Sequence, residues 1–236
     1  MGNIVVVRHY DGDLNDTACT HLANSNYRIK QWYPFKEPEN RTLPDIASTH
    51  GTIIMGGTQN VTELDQHSYL QHEIDWILAC IAADLPVIGI CLGSQLIAHA
   101  LGGEVTNHSE GICEFGYEPV YPEDTEYFPE TQHFTQAHFQ GISLPPGATL
   151  LASGKNFPCQ AFKYKHNVFG FQFHPEVHST MFEEWMQLDL ADAFYATPGA
   201  RPACMQLKEN EKYNARQTKW FMNLLDKVLP PLATHT

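Results

Sequence analysis

In the run Gly89-Ile-Cys-Leu-Gly93 a single cysteine stands between two glycines, after the apolar residues 85–90 and before "SQLIAHALGG" (residues 94–103). Small residues on both sides allow a strand to turn sharply into a helix and push one side chain forward, as in a nucleophile elbow. At that position the helix N-terminus favours an anion such as a thiolate. The amide after Cys91, that of Leu92, is aimed where negative charge develops on an attacked carbonyl. Gly56 or Gly57 offers a second donor, because a glycine-rich strand end lets backbone approach closely. The competing reading is a small apolar cysteine buried in a turn, so the motif needs a partner.

"FGFQFHPEVH" (residues 169–178) supplies one: an aromatic-rich strand ending at His174, with Glu176 two residues later. A thiol attacking a carbonyl needs a base to take its proton and return it to the leaving nitrogen, and the base needs an acceptor to fix its tautomer. Cys91, His174 and Glu176 make such a set, although a histidine alone at a strand end is more often structural.

The elements that must position these groups are legible as patterns. "NIVVVRH" (3–9), "YRIKQWYP" (27–34) and "GTIIMGG" (51–57) read as strands, with a helix-compatible stretch over 16–23 and a polar loop over 35–45. Leu70, Ile74, Ile77, Leu78 and Ile81 recur at helical spacing and predict an amphipathic helix over 64–83. Residues 104–173 break into short strand-like pieces, and 179–195 and 212–229 read as helices, with 196–214 as a flexible excursion between them. Strand–helix alternation over the first hundred residues predicts an α/β fold. Its largely parallel central sheet carries helices on both faces, in three layers, and its sites lie at the C-terminal ends of strands. A single domain spanning 1–236 is expected, with a C-terminal helical extension from about 179.

"PVIGICLGSQLIAHALGGEV" together with "GFQFHPEV" resembles the class I glutamine amidotransferases, especially the stand-alone branch related to the glutaminase domain of GMP synthase. "IIMGG", "CEFGYEPV", "LPPGATLLASG" and "QAF" extend the resemblance, which covers most of residues 52–178. It implies a flavodoxin-like fold in which Cys91 attacks the γ-amide of glutamine, or another γ-glutamyl amide, and forms a thioester. His174 then serves as base and acid, Glu176 orients it, Gly57 and Leu92 donate to the oxyanion, and Gln95 and His138 help bind substrate. The sequence departs from the family pattern at two places. Thr58 follows the glycine pair where proline is common, and Gln140 in "TQAHFQGI" falls where an aspartate recognises the substrate's α-amino group. A neutral amide loses the charge-assisted attraction to an ammonium.

Other features exclude more than they assign. His174 and His178 are separated by Pro175, which argues against a helical metal face, so no metal is expected. With no phosphate-binding glycine motif, no cofactor is expected either. Glu114 reads as a structural carboxylate in a turn, and the aromatic residues at 182, 185, 194 and 195 as a core-facing helical stripe. A net charge of −13 opposes binding to nucleic acid or an anionic membrane. No apolar run is long enough to span a bilayer, and the N-terminus has no signal-peptide layout. Val6 replaces the Ser or Thr of a myristoylation pattern. Six scattered cysteines read as reduced thiols, and a cytoplasmic location is expected. The leading expectation is a hydrolase releasing ammonia from glutamine for a separate synthetase or other acceptor protein. The alternatives are a stand-alone γ-glutamyl peptidase and a non-catalytic regulatory or binding protein on the same fold.

Overall fold

The computed structural model describes residues 2–11, 15–37, 39 and 42–232. Positions 38, 40 and 41 of the expected polar loop lie outside the described residues. In chain order the first half comprises β1 (Gly2–Val7), α1 (Thr17–Asn24), β2 (Tyr27–Trp32), β3 (Thr49–Ile54), α2 (Tyr69–Ala82), β4 (Val87–Ile90) and α3 (Leu92–Ala100). The second half comprises β5 (Val105–Asn107), β6 (Glu114–Pro122), β7 (Gln132–His138), β8 (Gln140–Ile142), β9 (Ala148–Ser153), β10 (Ala161–Tyr164) and β11 (Val168–Phe171). Helices α4 (Ser179–Trp185), α5 (Asp189–Tyr195) and α6 (Ala203–Val228) follow.

Nine strands form one sheet in the order β2-β1-β3-β4-β11-β10-β9-β6-β7. The first five are mutually parallel, and β10, β9, β6 and β7 continue the sheet antiparallel. A small ladder of β5 and β8 lies apart. Strand periodicity explains the three layers. On β1, Ile4 and Val6 face a cluster containing Leu22 of α1 and Phe221, Leu224 and Leu225 of α6, whereas Val5 and Val7 face Leu70, Ile74 and Ile77 of α2 and Leu96 of α3. Covered on both faces, the central strands are continuous β-branched runs, and each fully buried Val or Ile contributes roughly 1.5–3 kcal/mol.

Several expected boundaries move. Helix α2 starts at Tyr69, and β3 ends at Ile54, so Met55–Gly57 lie beyond the strand's C-terminal end. The excursion expected over 196–214 is overturned from residue 203 onward, where α6 begins. Its inward face is polar in the first half, with Gln206, Asn210, Asn214 and Gln217 buried at helical spacing ahead of Phe221. An apolar-periodicity reading cannot see a buried stripe of amides. Glu114 is corrected as well: it opens β6 rather than sitting in a turn, and it is buried. The aromatic stripe is split, because the chain breaks between α4 and α5. Phe182 packs on Tyr117, whereas Trp185 and Phe194 line a cavity.

Candidate active site

Where β4 becomes α3, Cys91 adopts φ 49° and ψ −109°, a left-handed conformation that costs a non-glycine residue of the order of 1–3 kcal/mol. Backbone bonds hold it there. Its N–H donates to Phe171 O at 2.8 Å, and its carbonyl accepts from Ser94 Oγ at 2.7 Å and Gln95 N at 3.0 Å. The turn is this tight because the glycines permit it: a Cβ on Gly93 would stand 2.1 Å from Ile54 O.

His174 follows β11, with its N–H donating to Thr135 O at 2.7 Å and its carbonyl accepting from Gln217 Nε2 of α6 at 3.1 Å. Its Nδ1 lies 2.8 Å from Glu176 Oε1, and both side chains are buried. Trp185 meets the imidazole edge to face at 4.9 Å between centroids. On the Gly56 side a Cβ would stand 2.6 Å from His174 Cε1 and 3.5 Å from Cys91 Cβ. Burial alone would push the imidazole down, but Glu176 and Cys91 beside it raise it to about 10. An imidazolium is therefore stabilised next to the sulfur, and that is the partner a thiolate needs. All six cysteines are unpaired, and burial pushes Cys19, Cys80 and Cys159 up to about 12 and Cys113 to about 11, which keeps those four protonated.

A cavity of about 270 Å³ opens at the C-terminal ends of β1, β3, β4 and β11. Cys91, His174, Glu176, Gly57, Gln95, His138 and Gln140 all line it. Leu92 contributes backbone at the first position of α3 while its side chain joins the core. Gln95 is buried rather than exposed, and its Nε2 donates to Gln172 Oε1 at 3.3 Å. Both ring nitrogens of His138 face protein, Nδ1 toward Gln140 O at 2.9 Å and Nε2 toward Glu114 Oε2 at 3.1 Å and Gln136 Oε1 at 3.0 Å. Gln140 Nε2 donates to Thr62 Oγ1 at 3.1 Å, while its buried Oε1 has no partner among the described residues.

Residues 14–192 match the family model of class-I glutamine amidotransferases. The chain belongs to the class I glutamine amidotransferase family. One subunit of the glutamine-hydrolysing GMP synthase of Sulfurisphaera tokodaii is 35% identical over 144 residues, covering 58% of this chain and 72% of that one. A glutamine amidotransferase-like protein of Acanthamoeba polyphaga mimivirus is 34% identical over 136 residues, 58% of this chain and 62% of that protein, so the chain spans less than two thirds of it. The crystal structure of a glutamine amidotransferase from Thermotoga maritima superposes with a TM-score of 0.84 at 22% identity, over 96% of this chain and 97% of that one. The α/β arrangement described above is thus the class I glutamine amidotransferase fold.

Three residues in or behind this candidate site are not apparent from the sequence. Gln172 Nε2 lies 3.9 Å from Cys91 Sγ, and its only signal was its place in the "FGFQFHPEV" run. His9 Nδ1 donates to Gly56 O at 3.1 Å, and its Nε2 lies 2.8 Å from Glu73 Oε2. His9 stands just past the end of β1, where sites in such sheets gather, and that rule could have flagged it. Glu73 gave no signal, since a carboxylate inside an amphipathic helix reads as solvent-facing. The C=O and N–H of one trans peptide point in opposite directions, so fixing Gly56 O on His9 turns the Gly57 N–H away from His9.

Proposed function

We propose that this chain hydrolyses γ-glutamyl amides, glutamine being the simplest, through a thioester on Cys91. The Cys91 thiolate adds to the γ-carbonyl, and the amides of Gly57 and Leu92 hold the resulting oxyanion. His174 passes its proton to the amide nitrogen, the C–N bond breaks, and ammonia or an amine departs. Water then attacks the thioester while His174 takes a proton from it, and glutamate leaves as the sulfur regains its electron pair. Glu176 keeps the imidazole oriented and charged. Gln95 and Gln140 lie where they would bind the glutamyl group, and His138 positions that wall.

The left-handed Cys91, projected from an elbow into the cavity that also holds the His174–Glu176 pair, is the observation that carries this reading. For glutamine itself, a separate acceptor protein would use the ammonia, in keeping with a relative named as one subunit of GMP synthase. A second reading is a stand-alone γ-glutamyl peptidase using the same triad; its substrates carry the same α-amino group as glutamine, so the neutral Gln140 bears on both alike. A cytoplasmic location is supported by six free thiols, and no helix among the described residues is long and apolar enough to cross a membrane. Incubating the protein beside Cys91→Ala with glutamine and γ-glutamyl peptides, and measuring free glutamate, tests the proposal. Release by the wild type alone supports it. No release, with Cys91 alkylated as slowly as an ordinary thiol, would indicate a non-catalytic member of the family.

A further inference from the structure

The cavity is lined by two unlike groups of side chains. Beside Gln95 and Gln140 it is lined by Thr58, Gln59 and Asn60, a set suited to a polar glutamyl group. Against His174 stands Trp185, and the lining also includes the apolar side chains of Leu188, Leu190, Phe194 and Phe139. Phe139 and Phe194 stack at 4.3 Å with an interplanar angle of 10°, so this wall is built as a unit from β7–β8 and α5. Leu188 and Leu190 are 52% and 44% exposed at its rim.

Position relative to His174 assigns the wall to one part of a substrate. The imidazole must reach the leaving nitrogen, so whatever that nitrogen carries extends past His174, toward the Trp185 edge at 4.9 Å. Charge narrows the class further. Among the described residues, the side chains that bring charge to this cavity are already engaged within the protein: Arg8 pairs with Asp16, His9 with Glu73, His138 with Glu114, and Glu176 with His174. A leaving group bearing a carboxylate, such as an amino acid, finds no free countercharge there among the described residues. Ammonia needs no such wall at all.

We infer that the preferred substrates are γ-glutamyl amides whose nitrogen carries an uncharged alkyl or arylalkyl group, seated on α4–α5. The assignment rests on the hydrolase reading above and selects the amine within it. Hydrolysis breaks the same C–N bond and releases the apolar amine, protonated by His174, with glutamate following after water opens the thioester.

The test is a series in which the amines differ little in basicity: glutamine, then the γ-glutamyl methylamide, isobutylamide and 2-phenylethylamide, with γ-glutamylglycine as the charged comparison. The readout is Cys91-dependent glutamate release as kcat/KM, with Cys91→Ala as blank. The expected result is a rise of about tenfold or more from methylamide to phenylethylamide, since each buried methylene favours binding severalfold, and γ-glutamylglycine well below both. Leu190→Ser should shrink the phenylethylamide-to-glutamine ratio about fivefold, and a ratio taken within one variant is insensitive to its folded fraction. A flat or falling series, γ-glutamylglycine equal to the phenylethylamide, or a ratio untouched by Leu190→Ser overturns the amine subsite, leaves the hydrolase intact and returns the wall to a protein partner. Release from no member of the series sinks the hydrolase reading and this inference with it.

Discussion

Gly56→Ala adds one methyl at the most crowded point of the site. The new Cβ would stand 2.6 Å from His174 Cε1, against the roughly 3.5–4.0 Å of an ordinary carbon contact. The ring must therefore recede by about 1 Å. It has little room to do so: Glu176 Oε1 holds Nδ1 at 2.8 Å, Trp185 packs on it at 4.9 Å, and Gln217 and Thr135 fix its backbone. Overpacking of this kind destabilises by about 1–3 kcal/mol, and a 1 Å misplacement of a catalytic group lowers rate about 10²-fold. The expected variant is thus folded, somewhat less stable in thermal melts, and roughly a hundredfold slower in kcat for glutamate release, with slower alkylation of Cys91. Wild-type kcat in a folded Gly56→Ala protein would refute the placement of His174 against Cys91.

Three further outcomes follow from the same contacts. Glu176→Gln removes the charge that helps hold His174 at about 10, so kcat should fall about 10²–10⁴-fold and the alkaline limb of the kcat/KM profile should move to lower pH. Because the folded pKa of His174 is raised, its contribution to stability is full below the unfolded value of 6.5 and is lost as pH rises through about 10. The stability gap between wild type and Glu176→Gln should therefore narrow above pH 10, and a gap independent of pH would contradict the assignment. His9→Gln should lower kcat roughly 10-fold or more with KM little changed, since His9 acts by fixing the Gly56 carbonyl rather than by touching substrate; steady-state kinetics showing the loss in KM alone would argue otherwise. Gln140→Asp should lower KM for glutamine about fivefold but not for glutaramate, which lacks the α-amino group, and parallel shifts for both would remove Gln140 from amino-group recognition.

Which features are legible in the sequence follows from how local their signals are. Cys91 is announced by its two glycines and the strand before it, because the elbow is a short-range steric device. His174 and Glu176 are two residues apart at a strand end, so their pairing is nearly written in the chain. The β-branched runs of β1, β3 and β4 announce the sheet, since burial on both faces leaves no polar alternation. What lies hidden depends on contacts between distant residues: Glu73 is 64 positions from His9, and Gln217 is 43 from His174. Buried amides on α6 mimic a solvated face, so hydropathy mistakes a structural helix for an excursion. Within the aromatic stripe at 182–195, Phe182 and Phe194 are core as the spacing predicts, whereas Trp185, just before the break at Met186–Leu188, is half-buried and packs on His174 at the cavity.

The covalent intermediate is open to direct observation. Mixing the protein with glutamine or a γ-glutamyl alkylamide, quenching in acid within the first turnovers and mapping peptides by mass spectrometry should show one glutamyl group on the peptide containing Cys91, absent from Cys91→Ala and released by hydroxylamine. Glutamate release without such an adduct, or with undiminished rate in Cys91→Ala, would contradict it.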